Sequence, residues 1–177
     1  MKQRIWGLDA VPVTEGRDLL APPVAAAADD RWLVTPIDPD LADTAAFCAA
    51  YDAPMEASAN CVVVAGKRGD VTTLAACVIL ATTRADVNGI VRKLLDARKA
   101  SFAPVDVATS ESGMEFGGIT PVGLPASWPI YVDPRVLDVE LAIIGSGLRR
   151  SKLLVPGAAI GSLPGAQTIE GLANPVA

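Results

Sequence analysis

The sequence predicts an α+β fold, a mixed and largely antiparallel β-sheet surrounded by helices. Three observations lead there. Two short apolar runs, Cys61-Val62-Val63-Val64-Ala65 and residues 74–80, flank a basic, glycine-containing turn at 66–70, the pattern of a β-hairpin. Val87, Ile90, Val91, Leu94 and Leu95 then recur at helical spacing. Strands and helices follow one another in mixed order, with hairpins in place of a steady βαβ alternation, which argues against a doubly wound parallel sheet.

From the N-terminus, residues 1–30 lack sustained periodicity. Pro12, Pro22, Pro23 and the alanine run at 25–28 predict irregular structure leading into a short helical piece. This reads as an extension packed on a domain that occupies residues 31–177. Trp32-Leu33-Val34-Thr35-Pro36-Ile37 is rich in strand formers, and Pro36, with no N–H to donate, suits a sheet edge or a strand end. Asp38-Pro39-Asp40 turns the chain. Asp43 or Thr44 can cap a helix through about residue 51, with Ala45, Phe47, Cys48 and Tyr51 available for its buried side.

After the hairpin, Thr82 or Thr83 precedes a helix predicted over 86–97. Its outer face carries Arg92, Lys93, Arg98 and Lys99, an ordinary solvated face unless a nucleic-acid site lies beside it. A second short helix is expected around 104–111. Strands at 128–133 and 139–144 are separated by 134–138, and a third strand, 153–155, precedes Pro156-Gly157 and a short helical tail. There is no internal repeat and no low-complexity linker, so a second domain is not supported.

Composition narrows the chemistry. At 177 residues, 51% hydrophobic and 20% charged, the chain can bury a substantial core, and no apolar run reaches the roughly 18 residues a membrane span needs. The first residues are basic but meet an acid before a signal-length apolar core develops, so cytoplasmic residence is the expectation. Cys48, Cys61 and Cys77 are too widely spaced for a CxxC motif and read as buried thiols in a reducing compartment. The sequence contains no histidine, which excludes Ser-His-Asp, Cys-His and HExxH chemistry. No metal and no cofactor are expected. A net charge of −5 argues against broad nucleic-acid binding, while a local basic surface stays open.

The densest backbone signal is Gly117-Gly118-Ile119-Thr120-Pro121-Val122-Gly123-Leu124-Pro125. Glycine admits positive φ and close approach, and proline fixes φ and removes a donor, so the remaining N–H groups can be aimed at a ligand. The same residues also make a tight connection between strands. Gly145-x-Gly147 is a fragment of a dinucleotide fingerprint, but it leads into Arg149, Arg150 and a strand, so it carries little weight as a cofactor site.

The apolar hairpin, the helix near 86–97, Ala103-Pro104, Ser112-Gly113, the glycine loop, Tyr131-Val132-Asp133 and Gly145-Ser146-Gly147 together resemble the YbaK/prolyl-tRNA-synthetase-associated domain family. The resemblance covers roughly residues 30–170. Its most specific element is the GxxxP signature, here Gly117 to Pro121. It implies an aminoacyl-tRNA deacylase acting in trans on the acceptor end of a mischarged tRNA. The loop bearing Gly117, Gly118, Thr120 and Pro121 would lie beside the scissile ester, its backbone N–H groups stabilising the oxyanion while the terminal ribose helps to activate water. A small pocket would then select the aminoacyl group by size, at about 1 to 3 kcal/mol per methylene.

Two positions depart from the family's pattern. Where relatives carry a lysine before the first central strand, this chain has Asn60, or Ala59 if the register slips by one. After the Gly145-x-Gly147 turn, a position often acidic or polar in relatives holds Lys152. On one reading Asn60 bonds the ester or ribose, Lys152, with Arg149 or Arg150, contacts the terminal phosphate, and Gly145, Ser146 and Gly147 belong to the same substrate-binding set. On the other, Arg149, Arg150 and Lys152 form a solvated turn and Asn60 caps a strand end. The corresponding functional alternative is a family member that has lost catalysis and binds tRNA, a nucleotide or a protein. A purely structural domain is the third possibility.

Overall fold

The computed structural model describes residues 1–176. Its first half contains β1 (Gln3–Ile5), β2 (Leu8–Pro12), α1 (Val13–Gly16), α2 (Pro22–Ala27), β3 (Leu33–Pro36), α3 (Thr44–Tyr51), β4 (Ala59–Arg68) and β5 (Val71–Leu80). Then come β6 (Thr83–Ala85), α4 (Arg92–Leu94), β7 (Lys99–Phe102), α5 (Val105–Ser112), β8 (Ile130–Val132) and α6 (Pro134–Leu137). The chain finishes with β9 (Ala142–Gly145), β10 (Ser151–Val155), α7 (Gly157–Gly161), β11 (Ala166–Thr168) and β12 (Ala173–Pro175).

One sheet, in the order β1-β2-β3-β10-β9, is antiparallel throughout. A second, β11-β8-β5-β4-β7, mixes parallel pairs at β11-β8 and β8-β5 with antiparallel pairs at β5-β4 and β4-β7, and β12 and β6 form a small antiparallel pair of their own. A parallel bridge between Ser58 and Ile143 joins the sheets at the start of β4. The α+β class with a mixed, mainly antiparallel sheet is therefore the fold observed.

The β4-β5 hairpin is its spine. Both faces are covered: Val64, Ala75 and Cys77 enter one core and Ala59, Ala76 and Val78 another, so the strands read as continuous apolar runs. The strands are longer than the apolar runs suggested. Gly66, Lys67 and Arg68 pair with Thr73, Thr72 and Val71, leaving only Gly69-Asp70 to turn the chain, with Gly69 at φ +60°.

Several elements correct the sequence reading. Residues 1–30 are not irregular: β1 and β2 form a hairpin, β2 pairs with β3 through Val11 and Val34, and Val13, Leu20, Ala21 and Val24 are buried in the main core. Pro22 opens α2, where a missing N–H costs nothing. Of the two places expected for Pro36, it takes the strand end, since β3 lies inside its sheet. On α3, Phe47 and Cys48 are buried but Ala45 is exposed.

The predicted helix over 86–97 is mostly replaced. Thr83–Ala85 pair with β12, and Val87–Val91 form one wide π turn whose N–H groups at Gly89 and Ile90 donate to the Asp86 carboxylate. A Cβ at Gly89 would lie 2.2 Å from Asp86 Oδ2, so this cap requires glycine. Regular α-helix is confined to α4, and Lys99 belongs to β7. The strands forecast at 128–133 and 139–144 contract to β8 and β9, because Val139 is drawn into the α6 connection by bonds to Val136 and Gly157. β10 begins at Ser151, which takes Lys152 out of the turn and into the sheet. The short helical tail expected after Pro156 is α7, and beyond it the chain forms β11 and β12. No helix among the described residues is long and apolar enough to cross a membrane.

Candidate active site

β7 covers only the far half of β4, from Val64 to Lys67. The near half, 59–63, is left with an open edge that faces β9 across the Ser58–Ile143 bridge. A cavity of about 440 Å³ occupies this gap. Ala103 N–H donates to the Val63 carbonyl at 2.9 Å, so at Val63 the peptide groups turn away from β5. By the two-residue alternation of an antiparallel strand, Cys61 turns its own N–H and C=O toward the cavity.

Lys152 forms part of the cavity floor. It shares a strand face with Leu154, which packs with Phe47 and Cys48 of α3, so the lysine stem runs along an apolar surface. Its Nζ donates to the Ala42 carbonyl at 3.3 Å and lies 5.3 Å from the centroid of the Phe47 ring. Burial pushes the amine's pKa below the ordinary lysine value; Cys48 and Asp43 pull it back up, and Arg149 adds to the depression. Asn60 also lines the cavity, and its Oδ1 accepts from Thr44 Oγ1 at 2.9 Å, which fixes the amide and leaves its NH₂ group as donor.

The glycine loop reaches the same space through Gly117 and Ile119. Gly117 has φ +85°, and a Cβ there would lie 2.5 Å from Arg149 Nη1. Gly118 packs on the Leu148 backbone, and its N–H is already bonded to the Glu115 carbonyl at 2.9 Å. Among the described residues, the N–H groups of Gly117 and Ile119 have no protein partner. Of the loop N–H groups left without a protein partner, these two belong to residues that line the cavity.

Of the residues the sequence singled out, the cavity brings together Asn60, Gly117, Gly145 and Lys152. The others stand behind it. Thr120 and Pro121 are buried, and Thr120 Oγ1 has no hydrogen-bond partner among the described residues. Ser146 Oγ is 2.6 Å from Ser151 Oγ and also meets the Leu148 and Ser151 carbonyls, which braces the turn from inside. Gly147 N–H donates to the Gly118 carbonyl at 2.7 Å, tying turn to loop. The Arg149 guanidinium donates to the carbonyls of Phe116 at 3.2 Å and Pro39 at 2.9 Å, and Arg150 donates to the Asp18 carbonyl at 3.0 Å.

Sequence reasoning missed Thr44, the outward peptide of Cys61, and the apolar mouth made by Phe102, Val105 and Phe116, which are 60%, 53% and 61% exposed. Such aromatic exposure is unusual for a chain with 5% aromatic residues, but it becomes meaningful only once the cavity is known. Among the described residues, no group of three or more Cys, Asp or Glu side chains is arranged to hold a metal ion.

A profile of the aminoacyl-tRNA editing domain matches residues 38–161. Among solved structures, a "putative trans-editing enzyme for prolyl tRNA synthetase" superposes with a TM-score of 0.72 at 19% identity, over 85% of this chain and 94% of that one. A second, described as a hypothetical protein, superposes with a TM-score of 0.70 at 18% identity, over 81% and 91% of the two chains. At these identities the likeness is one of fold. No curated protein matches the sequence.

Proposed function

The chain belongs to the aminoacyl-tRNA editing domain family, and from that premise we propose that it is a deacylase acting in trans on the ester of a mischarged tRNA. The observation that carries this reading is the cavity of about 440 Å³ lined together by Asn60, Gly117, Gly145 and Lys152. The terminal aminoacyl-adenosine enters past Phe102 and Phe116. The ester carbonyl lies against the Gly117 and Ile119 N–H groups, with the Cys61 N–H on the opposite wall as a further donor.

Water attacks the ester carbon, and the negative charge that develops on the carbonyl oxygen is held by these N–H groups. The bond to the ribose oxygen then breaks and that oxygen takes a proton, releasing the free amino acid and a tRNA with both terminal hydroxyls. With no histidine in the sequence, the neighbouring ribose hydroxyl positions the water. The Asn60 NH₂ group bonds the ester or ribose. Lys152, with two N–H groups beyond the one given to Ala42, contacts the terminal phosphate. Ile119, Ile143 and Ala108 bound an apolar end that suits a small side chain, and discrimination of about 1 to 3 kcal/mol per methylene leaves the substrate range broad.

The test is ester loss from tRNAs charged in turn with Ala, Cys, Ser and Pro. Release of a small amino acid at a rate above the buffer rate supports the reading, and it fails if no member of the panel is hydrolysed. A second reading is favoured by one observation: an uncharged residue, Asn60, stands where the family resemblance puts a lysine, and its carbonyl is already taken by Thr44. On that reading the domain binds the acceptor end without turnover, and binding with intact ester is its signature.

A further inference from the structure

The hairpin end of the second sheet concentrates positive charge that the cavity chemistry does not use. Residues 66–70 and 92–99 hold six cations, Lys67, Arg68, Arg92, Lys93, Arg98 and Lys99, against two acids, Asp70 and Asp96, in a chain of net charge −5. Tertiary bonds gather these two segments. Arg98 N–H donates to the Lys67 carbonyl at 2.8 Å, Arg68 Nε donates to the Asp96 carbonyl at 2.6 Å, and Leu95 packs on Gly66 so closely that a Cβ there would come within 2.9 Å of Leu95 Cδ1.

Lys67 of β4 stands directly opposite Lys99 of β7. Facing residues of an antiparallel pair have Cβ atoms about 4.5 to 5.5 Å apart, and like charges there oppose pairing. Arg68 is paired with Asp96 at 2.9 Å, but among the described residues Lys67, Lys93, Arg98 and Lys99 have no carboxylate partner. All four are exposed. The sheet therefore tolerates a like-charge pair at a place where nothing in the fold requires one.

β7 connects this ridge to the cavity. Lys99 begins the strand and Phe102, at the cavity mouth, ends it, so three residue steps span them, about 10 Å of extended chain. That distance corresponds to about three nucleotides of stacked strand at ~3.4 Å each.

We propose that the Lys67/Lys99 pair is a docking surface for the phosphate backbone of an RNA stem whose 3′ end enters the cavity. The identity of that RNA as tRNA rests on the deacylase reading. The acidic remainder of the protein confines the contact to this ridge, so binding is local and strongly dependent on salt.

The experiment is fluorescence anisotropy with a labelled, uncharged RNA hairpin that ends in a single-stranded 3′ tail, titrated between about 50 and 200 mM salt. Three proteins are compared: wild type, Lys67→Glu/Lys99→Glu, and Lys2→Glu/Arg31→Glu, which changes net charge equally but away from the ridge. Wild type is expected to bind with an affinity that falls with salt. The ridge reversal weakens binding at least about tenfold at low salt and lowers the log-log slope by about 2, while the control stays within about twofold of wild type. Lys67→Gln guards against misfolding: it removes the like-charge pair, so it melts no lower than wild type yet still weakens RNA binding. Equal weakening in both reversals, wild-type binding by the ridge variant, or no binding by wild type at low salt would each overturn the proposal. Because the hairpin carries no ester, these outcomes are independent of turnover, and loss of the deacylase reading would appear only in the ester assay.

Discussion

Gly118 and Gly145 meet backbone to backbone: a Cβ built on Gly145 would lie 2.6 Å from the Gly118 carbonyl oxygen and 2.7 Å from that of Ile119. The position of the glycine loop over the cavity is therefore set by a seam with no side chain on one side. Gly145→Ala is expected to lower stability by about 1 to 3 kcal/mol through overpacking. A loop displaced by about 1 Å loses on the order of 100-fold in ester hydrolysis. Urea unfolding with an unchanged m-value, together with the deacylation rate, checks both. Gly69→Ala is the control, since Gly69 has φ +60° but nothing within 4 Å, so it costs about 1 to 2 kcal/mol of backbone strain and leaves hydrolysis intact.

Lys152→Met separates stability from activity. Burial holds the native amine's pKa below its ordinary 10.5, so below that native value the charged amine weakens the folded state. Between the lowered native pKa and about 10.5 the unfolded chain binds more protons, and wild-type stability rises with pH across that window. The variant is expected to melt above wild type at pH 7, by about 2 to 4 °C for each kcal/mol relieved, with the gap closing toward pH 10.5. It is expected to hydrolyse ester poorly at every pH. Calorimetric scans at pH 7, 9 and 10.5 measure the first effect, and a lower melting point at pH 7 would mean that the Ala42 bond and the Phe47 contact outweigh the burial cost.

What the sequence revealed and what it hid divide along physical lines. The β4-β5 hairpin was legible because ten-residue strands buried on both faces leave an apolar run that no surface segment imitates. The family resemblance draws attention to the loop at Gly117 and to Asn60, Gly145 and Lys152, and one cavity is lined by all of them. The strands of residues 1–30 were not, because they are three and five residues long and β2 finds its partner 23 positions away, at Val34 from Val11. The π turn after Asp86 escaped because its cause is a carboxylate cap over Gly89, a contact with no period. The place of Lys152 within β10 is hidden because a charge seldom enters a buried strand. The apolar mouth follows from β7 covering half of β4, a property of the sheet edge that no local pattern encodes.

Thr44 and Asn60 form the pair that aims the amide. Thr44→Val removes the donor to Asn60 Oδ1 and is expected to cost about 1 kcal/mol of stability. The freed amide rotates, so KM for charged tRNA rises more than kcat falls. Asn60→Asp keeps the Thr44 bond, now to a carboxylate, and preserves the fold. It sets a negative charge against an anionic substrate end, and KM is expected to rise about tenfold or more at low salt, with partial recovery as salt screens the repulsion. Steady-state kinetics at two ionic strengths measures this, and an unchanged KM would remove Asn60 from the binding surface.

Cys61 reports on occupancy of the cavity without any mutation. Cys61 lines the cavity and packs against the main core, and burial of its thiol, with a smaller contribution from Cys77, pushes its pKa far above the usual thiol range; Cys77 itself is pushed up to about 12. At pH 7 the reactive thiolate is scarce, so alkylation of Cys61 by iodoacetamide is expected to be slow and to accelerate about tenfold per pH unit toward pH 10. A raised native pKa also means that the stability these thiols contribute is complete below about pH 9 and is lost as pH rises through their native values. Cys48 and Cys77 are buried and label more slowly than Cys61 in the folded protein. Peptide mass spectrometry at pH 9 follows each site separately. Uncharged tRNA is expected to protect Cys61 by filling the cavity while leaving the Cys48 and Cys77 rates unchanged, and labelling of Cys61 at an undiminished rate in saturating tRNA would put the acceptor end elsewhere on the protein.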